Sequence, residues 1–259
     1  MENMKIYVIS LQDAGEKRAD LAEALTEQSL SFQVIDAVDA RQWQDKTLAK
    51  HISSFGVACN MTYTPKPGAI GCHLSHLKAY QKLIDSDAPA AIILEDDAII
   101  TPELRQHMPC LKKAIAAFDI IFLCDRRPNR PAPVIGTSET GLQFCFKKYS
   151  NIGTTGYVIT RQAASYMLAH HTPFRLAIDT LLNRWWQTKL KVATTAPQLV
   201  RDDAMASSIG YHDLAMIQNP IWRIANLITK ARMSAMKRLT YQRVYHAMKA
   251  NFKKKMGRA

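Results

Sequence analysis

The five cysteines (Cys59, Cys72, Cys110, Cys124 and Cys145) include no Cys-x-x-Cys pair. An odd number without paired spacing argues against a disulfide framework and against a zinc ribbon, so reduced thiols are the expectation. No uninterrupted apolar run approaches the roughly 18 residues that a membrane-spanning helix needs. Met4 to Leu11 is too short for a signal-peptide core with its cleavage site, and no basic segment precedes it; it reads as a strand. Only Gly15 stands where a Gly-rich phosphate loop would follow that strand, which argues against a nucleotidyltransferase. The most localised absence is of acid. From Leu214 to Ala259 there is no Asp or Glu against eleven Lys or Arg. The first 213 residues therefore hold 23 of the 34 basic and all 22 acidic residues, a net of +1 within a chain of +12.

What is present is a globular composition, 47% hydrophobic and 22% charged over 259 residues, enough for one substantial core. KIYVIS (5–10) is a β-branched and aromatic strand, a helical pattern follows from Glu16 to Gln28, and Phe32 to Ile35 is a second strand. A strand–helix–strand opening favours a parallel α/β sheet. Residues 37–70 are less regular, with a Pro/Gly loop at 63–68, and Cys72 to Ile84 has helical spacing. Ala90 to Leu94 is a buried strand. Thr101 is expected to cap a helix with Pro102 at its first position, running to about Ala117. Asp119 to Cys124 is a further strand, and 125–141, Pro-rich and carrying Arg126, Arg127 and Arg130, reads as a long functional loop. Phe144 to Tyr149 and Thr155 to Thr160 read as strands, Arg161 to Ala169 and Ile178 to Trp186 as helices, and Val192 to Thr195 as the last strand.

The strand 90–94 runs directly into Glu95-Asp96-Asp97. Ligand sites in parallel α/β sheets gather outside the carboxyl ends of strands, and three adjacent carboxylates call for a cation. Mn²⁺ or Mg²⁺, which take oxygen ligands and share them with substrate phosphates, fits that need; the plain alternative is a solvated turn before the Thr101 cap. His73 and His76 lie at i, i+3 on one helix, but without an HExxH frame they read as structural or site-lining rather than as zinc ligands. Trp185 and Trp186 have the shape to stack on a sugar, though helical tryptophans more often fill a core.

Several segments together resemble glycosyltransferase family 25, the lipopolysaccharide glycosyltransferases: KIYVISL (5–11) with Arg18, FQVIDAVDAR (32–41), GAIGCHLSHLKAYQKLI (68–84), AAIILEDDA (90–98) and GTTGYVITRQAA (153–164). The resemblance implies an α/β fold of GT-A type, with a Rossmann-like, mixed and mostly parallel sheet flanked by helices. It further implies a UDP-sugar donor, commonly UDP-galactose, a divalent cation, and a lipid-linked oligosaccharide acceptor. On that footing Asp97 becomes the first metal ligand, with His212 as a further one, while Glu95 and Asp96 hold ribose, sugar or metal-bound water. Arg18 pairs with phosphate or ribose or is a solvated first-turn residue. Leu11 and Asp39, at the ends of the first two strands, stand where a uracil pocket is expected, and His76 lines the donor site. Asn151 and Thr155, around Gly153-Thr-Thr-Gly156, stand on the acceptor side. Transfer to a sugar hydroxyl with inversion needs one general base. Asp179 is the first candidate and otherwise a helix N-cap; Asp202 and Asp203 are the reserves.

The boundary expected from charge divides a catalytic domain, 1–213, from a basic helical tail, 214–259. After Pro220 the tail is free of Pro and Gly until Gly257, with Ile221, Ile224, Ala225, Ile228, Ala231 and Ala235 at helical spacing, so it reads as one or two basic amphipathic helices. An anionic membrane surface suits such a helix; a nucleic acid or simple packing on protein are the rivals. The alternative to a transferase is a non-catalytic membrane- or nucleic-acid-binding protein on an α/β scaffold, and the near-neutral body speaks against its nucleic-acid form. The expected location is cytoplasmic, peripheral on the inner face of the bacterial cytoplasmic membrane.

Overall fold

The computed structural model describes residues 4–127, 130, 132–148, 153–202 and 219–257. The chain opens with β1 (Lys5–Ser10), α1 (Gly15–Glu27) and β2 (Gln33–Asp36), and β1 and β2 pair in parallel up to Ser10↔Asp36. Every residue of β1 after Lys5 is buried, as expected of a strand covered on both faces. The irregular stretch that follows contains two short helices, α2 (Asp45–His51) and α3 (Ser54–Asn60), the second capped by the Ser53 hydroxyl, which accepts from Gly56 N. α4 (Pro67–Ile84) starts five residues before the expected Cys72, because Pro67 occupies its first position, where the missing N–H costs nothing. It turns Ile70, Leu77, Tyr80 and Leu83 inward.

β3 (Ala90–Glu95) is followed by β4 (Ala98–Ile100) and α5 (Leu104–Ala114). Thr101 does not cap α5: its backbone N–H is bonded to Leu199 O and its carbonyl accepts from Leu104 N, and the helix begins two residues later than expected, with Glu103 at the cap position. β5 (Ile120–Phe122) leads to 125–141, expected to be loop throughout, which carries β6 (Val134–Thr137). Then come β7 (Gln143–Cys145), β8 (Gly156–Thr160) and α6 (Arg161–His170). The single helix expected over 178–186 is broken into α7 (Ile178–Leu182) and α8 (Trp185–Thr188). Asn183 causes the break: its side chain donates to the Asp179 carbonyl at 2.7 Å, competing for a group that a continuing helix would use. β9 (Val192–Ala196), β10 (Val200–Asp202) and α9 (Pro220–Met256) complete the chain.

The main sheet has the order β2-β1-β3-β8-β5-β9-β7-β6. β1, β2, β3, β5, β6 and β9 share one direction and only β7 and β8 oppose it, the mixed sheet expected of the resemblance. β4 and β10 form a separate antiparallel pair with Ala98 opposite Asp202.

α9 is one continuous helix, capped by the Asn219 side chain and opened by Pro220. It lies against the body. Buried Asn226 donates to Ala58 O and Met61 O at 3.3 and 3.0 Å, satisfying carbonyls at the end of α3. Phe252 enters the cluster of Phe118 and Phe144, its ring centroid 5.9 and 5.6 Å from theirs. Gly136 in β6 makes room for that ring, since a Cβ there would lie 2.2 Å from it. No helix among the described residues is long and apolar enough to cross a membrane.

Candidate active site

β1, β2 and β3 end together, and the acids of 95–97 stand at that edge. Glu95 is the most tightly held of them. Its Oε1 accepts from His76 Nε2 at 3.0 Å and from the Thr154 hydroxyl, with the Cys72 thiol at 3.9 Å. Behind it, His76 Nδ1 meets the Tyr157 hydroxyl at 2.7 Å, and Tyr157 meets the Tyr80 hydroxyl at 2.6 Å. An ionised Glu95 fixes the direction of the chain: His76 donates from Nε2 and accepts at Nδ1 from Tyr157, which accepts from Tyr80. Burial pushes the Glu95 carboxyl up, but the hydrogen bonds from His76 and Thr154, with the charge of Arg126, outweigh it and leave the group below its usual range. Burial also drives both tyrosines well up, keeping them as donors. Cys72, His76 and Glu95 bring ligand-type atoms within 4.8 Å of one another. The thiol is held protonated by burial and both His76 nitrogens are engaged, so the trio is a hydrogen-bonded support for Glu95 rather than an ion cage.

Asp97 is in the opposite condition. Its side chain is 25% exposed, with Oδ2 3.5 Å from Arg126 Nη2, while Oδ1 is buried without any hydrogen-bond partner. Burial, then the charge of Glu95, raise its pKa to about 7, against the pull of Arg126. The β4–β10 pair brings a second carboxylate to the same place: Asp202 Oδ2 lies 2.6 Å from Arg126 Nε. Arg126 also reaches the Thr155 hydroxyl at 3.4 Å. An orphaned carboxylate oxygen beside a second acid, bridged only by a guanidinium, is a set of hard oxygen donors suited to Mn²⁺ or Mg²⁺. Asp97 and Asp202, each paired with Arg126, are the carboxylates here that would hold a divalent cation.

Arg126 is placed firmly. Asp125 before it exchanges backbone bonds with the Gln198 side chain at 3.0 and 3.1 Å and is ion-paired with Lys147, whose pKa burial lowers to about 8. Gly153, at φ +90, packs on the guanidinium, where a Cβ would come within 3.0 Å of Nε. The Gly153 N–H donates to Asp179 Oδ2 at 3.3 Å, and Oδ1 accepts from Thr180 N at 2.6 Å. Asp179 is not the cap of α7, which is Ala177. Its partly exposed carboxylate faces the Gly153 strand end from across the site. Cys72 records this convergence: burial raises its thiol first, and the charges of Glu95, Asp179 and Asp97 add to it.

The other expected residues divide. Asp96 and Asp97 line a pocket of about 350 Å³ with Lys17, Asp20, Leu21, Ala24 and residues 98–100. Lys17, not Arg18, is the base that faces it, and its charge acts on Asp97. Arg18 donates to Asp36 at 2.9 Å and to Ser10 O at 3.4 Å, tying the ends of β1 and β2 together. Asp39 is clasped by Arg41, which also reaches Asp13 at 2.6 Å, and this holds Asp39 down to about 2. Leu11 serves the turn into α1, its carbonyl accepting from Ala14 N. Thr155 is buried beneath Arg126. Ser75 accepts from Val38 N at 2.8 Å, and buried His73, its pKa lowered to about 4, bonds the His171 carbonyl. Trp185 is a core residue packed on Phe146, and Trp186 lies under Lys237. Asn151, Asp203 and His212 lie outside the described residues. Sequence reasoning noted Arg126 only as part of a basic loop and Thr154 only as one of a small-residue run. The usable signal was position, since Arg126 stands two residues beyond Cys124 at the carboxyl end of a strand, as Asp97 does.

Residues 3–182 match the profile of glycosyltransferase family 25 (LPS biosynthesis protein). The chain is 27% identical over 190 residues to a Mus musculus protein named inactive glycosyltransferase 25 family member 3, covering 69% of this chain and 31% of that one. It is 25% identical over 193 residues to the lipooligosaccharide biosynthesis protein lic2B of Haemophilus influenzae, covering 68% of each. It is 23% identical over 171 residues to the lacto-N-neotetraose biosynthesis glycosyltransferase LgtB of Neisseria gonorrhoeae, covering 64% of this chain and 60% of that one. The chain thus spans about a third of the length of the mouse relative. With the matched stretch taking in β1 to α7, and with them Glu95, Asp97, Arg126 and Asp179, the chain belongs to glycosyltransferase family 25.

Proposed function

We propose that this chain is an inverting hexosyltransferase, moving galactose from UDP-galactose to a sugar hydroxyl of a lipid-linked oligosaccharide at the inner face of the cytoplasmic membrane. The observation that carries the reading is the orphaned Oδ1 of Asp97, buried beside Asp202 and Arg126 in a chain of this family. A divalent cation bound there supplies charge neutralisation for the departing diphosphate. The chain's own residues do the rest. Arg126 and Lys17 are the cations nearest the acids, placed to hold phosphate oxygens. Glu95, fixed by His76 and Thr154, presents a carboxylate whose position does not depend on ligand. Asp179, across the site and partly open to solvent, accepts the acceptor hydroxyl proton while the new bond to the anomeric carbon forms. The bond from that carbon to the phosphate oxygen breaks with its electrons leaving on UDP, so one base suffices.

Titration calorimetry with UDP and UDP-galactose, with and without Mn²⁺, tests the donor half of this reading. Metal-dependent binding that Asp97→Ala abolishes is the expected result. Asp179→Asn should bind donor as the unaltered chain does and lose transfer by about 10²-fold or more, the contribution of a general base. No binding of either nucleotide under any metal condition would overturn the proposal and favour a non-catalytic binding protein.

A further inference from the structure

α9 has two unlike sides. The inner side is fixed to the body by buried Asn226, Met248, Phe252 and Met256, with Tyr241, Tyr245 and Asn251 donating to the carbonyls of Phe146, Val134 and Ala117 at 3.4, 3.0 and 2.9 Å. The outer side carries Ile221, Ile224, Leu227, Ile228 and Leu239, which are 72%, 58%, 66%, 63% and 83% exposed. These are five of the ten large hydrophobic side chains exposed among the described residues, so the pattern is local to this helix. At the helical angle of about 100° per residue, Ile221, Ile224, Ile228 and Leu239 fall within a sector of about 60°. Toward the C-terminus, exposed Arg232, Arg243, Lys249, Lys253 and Lys254 lie within about 80° of the Ile221 direction on the same outward side. One outward face is therefore aliphatic in its first turns and basic in its last, with no acid anywhere from 214 to 259.

A nucleic acid would use the cations and leave four aliphatic side chains in water. A second copy would cover the aliphatic patch but bring two wholly basic helices side by side. A bilayer with anionic headgroups satisfies both ends of the face at once. We propose that the outer face of α9 docks on an anionic lipid surface. Ile221, Ile224, Leu227 and Ile228 enter the boundary between headgroups and acyl chains, and Arg243, Lys249, Lys253 and Lys254 rest on the lipid phosphates. The docking also orients the site. α9 lies against α3 and α8, and Arg184, between α7 and α8, donates to Asn60 of α3 at 2.6 Å. The docked helix is therefore one layer away from α7 and Asp179. The proposal does not rest on the transfer reaction and survives its failure.

Flotation of the full chain with phosphatidylcholine vesicles, and with vesicles containing about 30% phosphatidylglycerol, tests it. The chain should float with the anionic vesicles only, and less so as salt is raised. Ile224→Glu with Ile228→Glu, both at exposed positions, should weaken anionic-vesicle binding by about tenfold or more with unchanged circular dichroism and thermal midpoint. Lys253→Glu with Lys254→Glu should weaken it as well and flatten the salt dependence. Background recovery with both vesicle types, or equal binding by the aliphatic variant, would overturn the proposal. So would a dimer in light scattering that the aliphatic variant converts to monomer, since the patch would then belong to a second copy.

Discussion

The raised carboxyl of Asp97 carries an electrostatic cost whose sign is calculable. Its carboxyl is raised from 3.8 to about 7, by burial and then by the charge of Glu95. In the unfolded chain it ionises near the lower value. A raised carboxyl favours the fold fully below the unfolded pKa, and that advantage is lost as pH climbs through about 7. At about 1.4 kcal/mol per pKa unit the ceiling on the penalty is about 4 kcal/mol. The side chain keeps 25% exposure, and solvent screening at that opening brings the expected value to about 2 kcal/mol. Asp97→Asn keeps the shape and removes the charge. Unfolded by urea in the presence of a chelator at pH 8, the variant should be more stable than the unaltered chain by about 2 kcal/mol with unchanged m-value. The difference should shrink to about 0.5 kcal/mol near pH 4. Adding Mn²⁺ should reverse the order, because only the unaltered chain binds it natively and gains stability by mass action. If the unaltered chain is the more stable at pH 8 with chelator present, its contact with Arg126 already satisfies Asp97, and the carboxylate is not held in waiting for a cation.

Two further outcomes follow from groups away from the acids. Buried His73 and His171 are both lowered to about 4, chiefly by burial, so the fold keeps them neutral while the unfolded chain takes up protons below 6.5. Stability from this pair is full above that pH and lost toward pH 4, at up to about 2.7 kcal/mol per pH unit if both protonate on unfolding; urea midpoints between pH 7.5 and 4.5 should show it, and His73→Gln should roughly halve the slope. Phe252→Ala empties the space between Phe118, Phe144 and Gly136 and should cost about 3 to 5 kcal/mol in denaturant unfolding; a loss below about 1 kcal/mol would mean that α9 contributes little to the stability of the body.

The sequence made the sheet legible wherever burial is continuous. Lys5–Ser10 and Ala90–Glu95 declare themselves because a strand covered on both faces must be apolar at nearly every position. β4 and β6 were not legible. Three or four residues cannot show a period, and their existence depends on partners far along the chain, Val200–Asp202 for β4 and Gln143–Cys145 for β6. Local rules also failed where the backbone was bonded otherwise, at Thr101 by a tertiary bond to Leu199 and at Asp179 by the neighbouring Asn183 side chain. At the site, the acids at the end of β3 were readable from position and resemblance. That Glu95 is spoken for by His76 while Asp97 is left wanting was not, since both are carboxylates in one tripeptide and only packing separates them. Asp202 stood as a reserve base; its place beside Asp97 comes from the β4–β10 register, outside the family-matched stretch that ends at 182. Arg18 and Lys17 show the limit of reading a helix start, where adjacent side chains point to different neighbours.

The small β4–β10 pair also bears on how the chain is assembled. It joins residues on the order of a hundred positions apart through two three-residue strands, a closure with a large entropic cost and few bonds to offset it. During synthesis β3 and its acids emerge long before β10, so Asp97 and Asp202 meet only when the last part of the body docks. An ion between them would act as a clasp on the late-joining β10 segment. It would give nothing to a half-folded chain and would hold the finished one shut. Amide exchange in 98–100 and 200–202 should then slow on adding Mn²⁺ while the core strands β1 and β3 exchange as before, making the ion a timer of completion as much as a reagent.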